Sequence, residues 1–154
     1  TLITPNARFD QYLSGDKTAL SEEEKRGALL FAESGCMSCH SGTYFGGDNY
    51  QKLTESYFTE KGGEITEADL GRYNVTGDEA HRHMFKTPIL RNVEVTWPYF
   101  HDGSAQDIET AVATMAKHQL GLDMPRDDTA AIAAFLKTLT GEYKGEPLNE
   151  MGAH

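Results

Sequence analysis

Apolar positions recur at helical spacing in three parts of the chain and lose that period between them. The first part opens at Ser21, a good N-cap, with Glu24 three residues on to complete a capping box. It runs through Ala28, Leu29, Leu30 and Phe31 and ends near Gly35. Gly27 lies inside this predicted helix, where it costs about 1 kcal/mol relative to Ala; a close helix crossing would account for it. The second part opens at Ser104 with Asp107 at the N3 position, and sets Ile108, Ala111, Val112 and Met115 on one face. The third is capped by Asp127 or Asp128, carries the stripe Ile132, Phe135, Leu136 and Leu139, and stops at Gly141. The helix through Gly27 and Phe31 is expected to cross the last one near Phe135 and Leu136.

The remainder is irregular. Residues 1–20 are expected to be a lead-in or linker with one helical turn around Phe9, Tyr12 and Leu13. Ser41 to Gly77 shows no sustained period beyond a helical hint at Thr66 to Leu70, an uncommon length of loop for a compact domain. A prosthetic group that supplies part of the core would make such a stretch credible. His81 to Gly103 is dense in polar and aromatic residues, and Pro88 and Pro98 break any helix across it. Residues 142–154 contain Gly145, Pro147 and Gly152 and are expected to be an extended or mobile tail.

Length and charge narrow the class. The 154 residues fit one domain, placed at residues 21–141. Acidic residues outnumber basic ones by 24 to 14, a net charge of −10, which argues against nucleic acid and anionic membrane surfaces. It suits a basic or dipolar protein partner, although solubility alone would also explain it. No apolar run approaches a membrane span.

The candidate chemistry lies in Cys36-Met37-Ser38-Cys39-His40, which holds both cysteines of the chain. Two thiols two residues apart with a histidine directly after are the pattern for covalent attachment of a c-type haem. The thiols add to the porphyrin vinyl groups and His40 serves as proximal ligand. Three other readings are weaker. A disulfide across two residues would be strained and leaves His40 unexplained. A thioredoxin-type pair needs a βαβ context that is absent. A zinc site needs about four ligands, and His81-x-His83 is too tight to complete one with His101, His118 or His154. Because such haems are attached in exported proteins, a targeting segment is expected to have been removed or to lie outside this sequence.

The sixth ligand decides what such a haem does. A Met thioether raises the potential, a second His lowers it, and an open position suggests ligand binding. Met37 cannot reach the far face, Met151 is in the tail and Met124 precedes a proline. Met84 and Met115 are left nearly tied by spacing, with His81, His83 and His118 behind them. Lys86 and Arg91 are candidates to neutralise haem propionates, or are solvated loop cations.

Longer stretches carry a resemblance. Phe85-Lys86-Thr87-Pro88-Ile89-Leu90-Arg91-Asn92-Val93 and Pro98-Tyr99-Phe100-His101-Asp102-Gly103-Ser104 resemble the bacterial di-haem cytochrome c peroxidases and their MauG-like relatives. So do Met115-Ala116-Lys117-His118-Gln119-Leu120-Gly121 and Ala134-Phe135-Leu136-Lys137-Thr138-Leu139-Thr140-Gly141. Thr4-Pro5-Asn6-Ala7-Arg8-Phe9-Asp10, Gly71-Arg72-Tyr73 and Val75-Thr76-Gly77-Asp78 extend the match, in family order, over nearly the whole chain.

The resemblance is to the family's second, C-terminal haem domain, which carries a high-potential His/Met haem. It implies Met115 as the sixth ligand; in the MauG-like branch a Tyr takes that role. It also implies an N-terminal peroxidatic haem domain, where hydrogen peroxide is reduced to water. A small donor cytochrome c or cupredoxin supplies the electrons, the location is periplasmic, and a homodimer is compatible. A calcium ion would bind between the domains, on backbone carbonyls that map to Thr96 and Pro98. Trp97 falls beside that interface, with ordinary packing the expected role.

The expected architecture is mainly α, a cytochrome c-like domain with long loops wrapping one covalent haem c. By itself the chain is expected to pass electrons without turning over peroxide. A stand-alone mono-haem electron-transfer cytochrome c, a MauG-like oxidoreductase domain and a haem-based sensor with a labile sixth ligand are the other readings.

Overall fold

The computed structural model describes residues 4–151. The outermost ends of the expected lead-in (Thr1 to Ile3) and tail (Gly152 to His154) lie outside the described residues. Among the described residues six α-helices run in order as α1 Arg8–Leu13, α2 Glu22–Glu33, α3 Glu55–Lys61, α4 Tyr73–Thr76, α5 Ile108–Leu120 and α6 Arg126–Lys137. Four short strands, β1 Tyr50–Lys52, β2 Met84–Lys86, β3 Glu142–Tyr143 and β4 Glu146–Pro147, and several single 3-10 turns complete the chain. The mainly helical, cytochrome c-like expectation holds.

The fold is built on α2 lying across α6. The capping box of α2 is present: Ser21 Oγ accepts from the Glu24 amide at 3.2 Å, and the Glu24 carboxylate accepts from the Ser21 amide at 2.8 Å. Gly27 stands at the crossing, where a Cβ would overlap the Ala131 carbonyl and meet the Phe135 Cβ at 3.0 Å. Phe31 and Phe135 then touch, with ring centroids 5.5 Å apart. Phe9 and Phe45 join them in edge-on contacts, and Ile132, Leu136 and Leu139 fill the core around this aromatic quartet. The expected crossing near Phe135 and Leu136 is therefore observed.

Several local expectations change. Helix α5 begins four residues later than Ser104, because Asp107 is itself the N-cap and accepts from the Thr110 amide at 2.7 Å. Neither Asp127 nor Asp128 caps α6; Pro125 is its N-cap residue. Both aspartates lie in the first turn, where negative charge opposes the helix dipole, and Asp128 pairs with Arg26 of α2. Helix α6 stops at Lys137, before Gly141.

Helix α3 and the β1–β2 ribbon were not expected. The ribbon is antiparallel, with Tyr50 opposite Lys86 and Lys52 opposite Met84. Its pairing spans more than thirty residues of sequence and each strand is too short to show a period. Helix α3 buries the adjacent Tyr57 and Phe58, a pattern that is not periodic.

The described residues near both ends, from Thr4 and up to Met151, pack against the rest of the domain. Ala7 is fully buried, and the Phe9 amide donates to the Thr138 carbonyl at 3.1 Å. The tail forms the β3–β4 hairpin, and the Glu142 amide donates to the Pro5 carbonyl at 2.9 Å. Asn92, in a left-handed conformation with φ 63°, ties these segments together. Its side-chain oxygen accepts from the Thr4 hydroxyl at 2.8 Å and the Gly141 amide at 3.0 Å.

In an isolated helix, Gly27→Ala would stabilise by about 1 kcal/mol. At this crossing the added methyl forces α2 and α6 apart, an overpacking penalty of about 1–3 kcal/mol. Thermal unfolding of Gly27→Ala is expected at a lower temperature than the parent; an unchanged or higher Tm would show that the crossing is loose.

Candidate functional site

Helix α2 runs straight into the cysteine motif. Cys36–Ser38 forms a single 3-10 turn that follows Gly35. The Cys39 and His40 amides both donate to the Cys36 carbonyl, at 3.2 and 3.0 Å. Both cysteines are free and half-buried, and burial pushes the Cys36 thiol up, so it stays protonated near neutral pH. No disulfide joins the two cysteines in this structure. Cys36 packs against the aromatic core.

His40 is positioned by the loop after it. Its Nδ1 lies 3.2 Å from the Phe45 carbonyl, which makes Nδ1 the protonated nitrogen and leaves Nε2 as the lone-pair donor. Among the described residues Nε2 has no hydrogen-bond partner. Burial pushes the His40 pKa down, against the opposing pull of the Phe45 and Pro88 carbonyls, so the ring is neutral at pH 7. Gly46 makes room for this arrangement: at φ +124° it sits where a Cβ would overlap the Pro88 carbonyl and come within 3.3 Å of His40 Nδ1. The Phe31 ring stands 6.4 Å from the imidazole.

Met115 belongs to a second apolar cluster. It packs with Phe85 and Phe100 against buried Leu53, Tyr57 and Phe58. One turn earlier on α5, Val112 packs against the first cluster, the one that holds Cys36, Phe31 and Phe45. Helix α5 thus joins the thiol side to the methionine side. Met84 is a half-buried β2 residue in neither cluster, and its carbonyl accepts from the Arg72 amide at 2.8 Å. The other candidate histidines have Nδ1 partners of their own: His118 the Ser56 hydroxyl, His83 the Asp69 carbonyl and His81 the Thr76 hydroxyl.

Two reduced thiols, a neutral imidazole with a free Nε2 and two apolar clusters bridged by α5 fit a haem c. Such a group supplies one-electron chemistry, and the chain's own contribution is ligation, burial and orientation.

The remaining expected residues are dispersed. Lys86 is exposed at the end of β2. Arg91 forms a two-pronged pair with Asp10 at 2.8 and 2.9 Å and donates from Nε to the Thr43 carbonyl at 2.6 Å. Thr96 and Pro98 are exposed, and neither carbonyl accepts a hydrogen bond among the described residues. Trp97 is 55% exposed.

A charged network missed from the sequence borders the methionine-side cluster. Asp69, 1% exposed, accepts from Lys61 at 2.8 Å, His101 Nε2 at 2.7 Å and Thr66 at 2.7 and 2.8 Å. Lys61 also reaches Asp102 at 2.8 Å. Burial would raise both carboxylates, but the hydrogen bonds from Lys61 and their other donors win. Asp69 is held well below the usual carboxylate range and Asp102 is brought down to about 2. Asp102 and Asp69 in turn hold Lys61 well above its ordinary value. Asp69, His101 and Asp102 lie close enough to ligate a metal, yet the Lys61 ammonium already bridges both carboxylates. His101 stacks on Phe85 with ring centroids 4.3 Å apart, which fastens the network to the apolar cluster. A lone Lys61 and Asp69 in an aperiodic stretch gave no sequence signal of this pairing; Tyr99–Ser104 did draw attention to His101 and Asp102.

No protein-family model matches the chain. It is similar to a cytochrome c551 peroxidase of Nitrosomonas europaea, 49% identical over 92% of this chain and 41% of that protein. The cytochrome c peroxidase Ccp of Escherichia coli is 43% identical over 93% of this chain and 30% of its own length. A solved MauG-like protein associated with microbial copper homeostasis superposes with a TM-score of 0.71, at 26% identity, over 89% of this chain and 49% of that one. The chain is a partial domain of the bacterial di-haem cytochrome c peroxidase and MauG family. It spans less than half the length of the family members named above. Among the described residues no helix is long and apolar enough to cross a membrane.

Asp102 supplies a pH signature. Its folded pKa of about 2 lies below the ordinary aspartate value of about 3.9. The stability it contributes is present above about pH 4 and is lost as pH falls toward 2. Asp102→Asn is expected to lower stability at pH 7 and to shrink the loss between pH 4 and 2 in acid titrations followed by circular dichroism. An acid limb as steep as the parent's would place that linkage elsewhere.

Proposed function

We propose that this chain is the electron-accepting haem domain of a periplasmic di-haem cytochrome c peroxidase. His40 would be the proximal ligand and Met115 the sixth ligand of one covalent haem c, held through Cys36 and Cys39. The observation that carries the reading is that α5 packs against both clusters, through Val112 on the thiol side and Met115 on the other. His40 offers a free Nε2 beside the Phe31–Phe45 cluster, and Met115 is seated in the Tyr57–Phe58–Phe85–Phe100 cluster. A thioether ligand in an apolar surround favours the reduced iron and a high potential, which suits a relay. The higher identity to the two peroxidases than to the MauG-like structure supports the peroxidase branch.

In this role the domain takes electrons from a small cytochrome c or cupredoxin and passes them to a peroxidatic haem carried by an N-terminal domain, where hydrogen peroxide is reduced to water. Thr96 and Pro98 would offer carbonyls to a calcium ion shared with that domain, so the chain alone would bind calcium weakly. The alternative is a stand-alone electron-transfer cytochrome c, for which the same ligand pair would serve.

Met115→His is expected to lower the midpoint potential sharply and to abolish the Met-to-ferric-iron charge-transfer band, whereas Met84→Ala leaves both unchanged. The reverse pattern would move the ligand to Met84. With a net charge of −10 on the chain, reduction by a basic donor is expected to slow as salt rises over the range in which the Debye length falls from about 30 to about 10 Å. A flat response in stopped-flow traces would remove electrostatic steering.

A further inference from the structure

Arg91 was expected near a propionate, and its actual partners suggest a different task. The side chain is 7% exposed and spans two segments that are distant in sequence. One end grips the Asp10 carboxylate on α1 through both terminal nitrogens. The other donates from Nε to the Thr43 carbonyl at 2.6 Å, two residues before Phe45, and the guanidinium lies 6.0 Å from the Phe45 ring centroid. Phe45 is itself held in a left-handed conformation, φ 54°, which an aromatic residue adopts only when its surroundings enforce it. Its carbonyl receives His40 Nδ1 at 3.2 Å and the Leu90 amide at 3.3 Å. Arg91, Leu90 and the aromatic quartet therefore fix the Phe45 carbonyl, the acceptor 3.2 Å from His40 Nδ1.

We propose that Arg91, anchored by Asp10, is a positioning residue for His40: it holds the Phe45 carbonyl in place and thereby tunes the reduction potential of the haem. The physical route is the Nδ1–H···O=C bond. A hydrogen bond to the far nitrogen of a ligating imidazole raises the basicity of the ligating nitrogen and stabilises the oxidised metal. A loosened Thr43–Phe45 loop weakens that bond and shifts the equilibrium toward reduced iron. Asp10 lies on the N-terminal segment, so the position of α1 is coupled through one arginine to the proximal ligand. The inference rests on His40 as the iron's ligand, and is independent of which residue sits on the opposite face.

The test uses the haem-loaded protein and two readouts: potentiometric titration of the visible spectrum, and NMR-detected solvent exchange of the His40 Nδ1 proton in the diamagnetic ferrous state. For Arg91→Gln the expected result is a reduced-to-oxidised ratio at the parent's midpoint that rises from one to about three, about 28 mV at 59 mV per tenfold change. Exchange of the Nδ1 proton is expected to accelerate about tenfold on the same logic of a weakened hydrogen bond. Arg91→Lys, which keeps a charge near Asp10 but loses the forked geometry, should fall between parent and Arg91→Gln. Asp10→Asn removes the anchor without touching the loop and should move both readouts in the same direction, which decides the matter if Arg91→Gln does not fold. A lower Tm with parental midpoint and parental exchange would overturn the proposal and leave Arg91 a structural clamp. An error in the Met115 assignment would show instead in the parent's charge-transfer band, which these variants do not address.

Discussion

The close approach of α2 to α6 at Gly27 is the contact on which the rest depends. With no side chain at Gly27, the helix backbones meet at the Ala131 carbonyl. That spacing brings Phe31 and Phe135 into contact and lets Phe9 and Phe45 close the quartet. The same helix ends in the Cys36–Cys39 turn, so the crossing fixes where the thiols and His40 stand relative to the core. A wider crossing would dissolve the aromatic support behind the imidazole before it disturbed any ligand directly. Packing at Gly27, thirteen residues before His40 in the chain, thus acts on the site through rigid helix geometry, about 1.5 Å per residue along α2.

Two kinds of interaction divide the labour around the site. On the thiol side the contacts are aromatic and backbone: four phenylalanines, and carbonyls of Phe45 and Pro88 facing His40. On the Met115 side the apolar cluster is backed by charge, with Lys61 bridging Asp69 and Asp102 and His101 stacked on Phe85. A buried carboxylate such as Asp69 is tolerable only because all its donors are in place; removing one partner leaves an uncompensated charge. Such a network specifies the arrangement of α3 and the Phe100–Ser104 loop more sharply than apolar packing alone would. For a relay of electrons a rigid surround is an advantage, since it limits reorganisation between oxidation states.

The described residues near both ends add a further constraint. Asn92 binds both Thr4 and Gly141, and Arg91 beside it binds Asp10. Two adjacent residues therefore tie the N-terminal segment, the C-terminal hairpin and the loop after the cysteine motif into one body.

The sequence by itself determined the candidate chemistry and the main helices. Cys36, Cys39 and His40 are adjacent, so their spacing is a covalent fact that needs no fold, and the capping box at Ser21 and the stripes of α2, α5 and α6 are local periodic signals. The family stretches around Arg91, His101 and Met115 were equally legible as strings. Only the tertiary structure decided what those strings do. It set Arg91 on Asp10 and Thr43, put Met115 and not Met84 among Tyr57, Phe58 and Phe100, and built the Lys61–Asp69–Asp102 bridge from aperiodic loops. These are contacts between residues far apart in the chain, made by side chains whose partners depend on how α2, α3, α5 and α6 pack. Local pattern carries no information about such pairings, which is why α3, the β1–β2 ribbon and the folded tail emerged only in three dimensions.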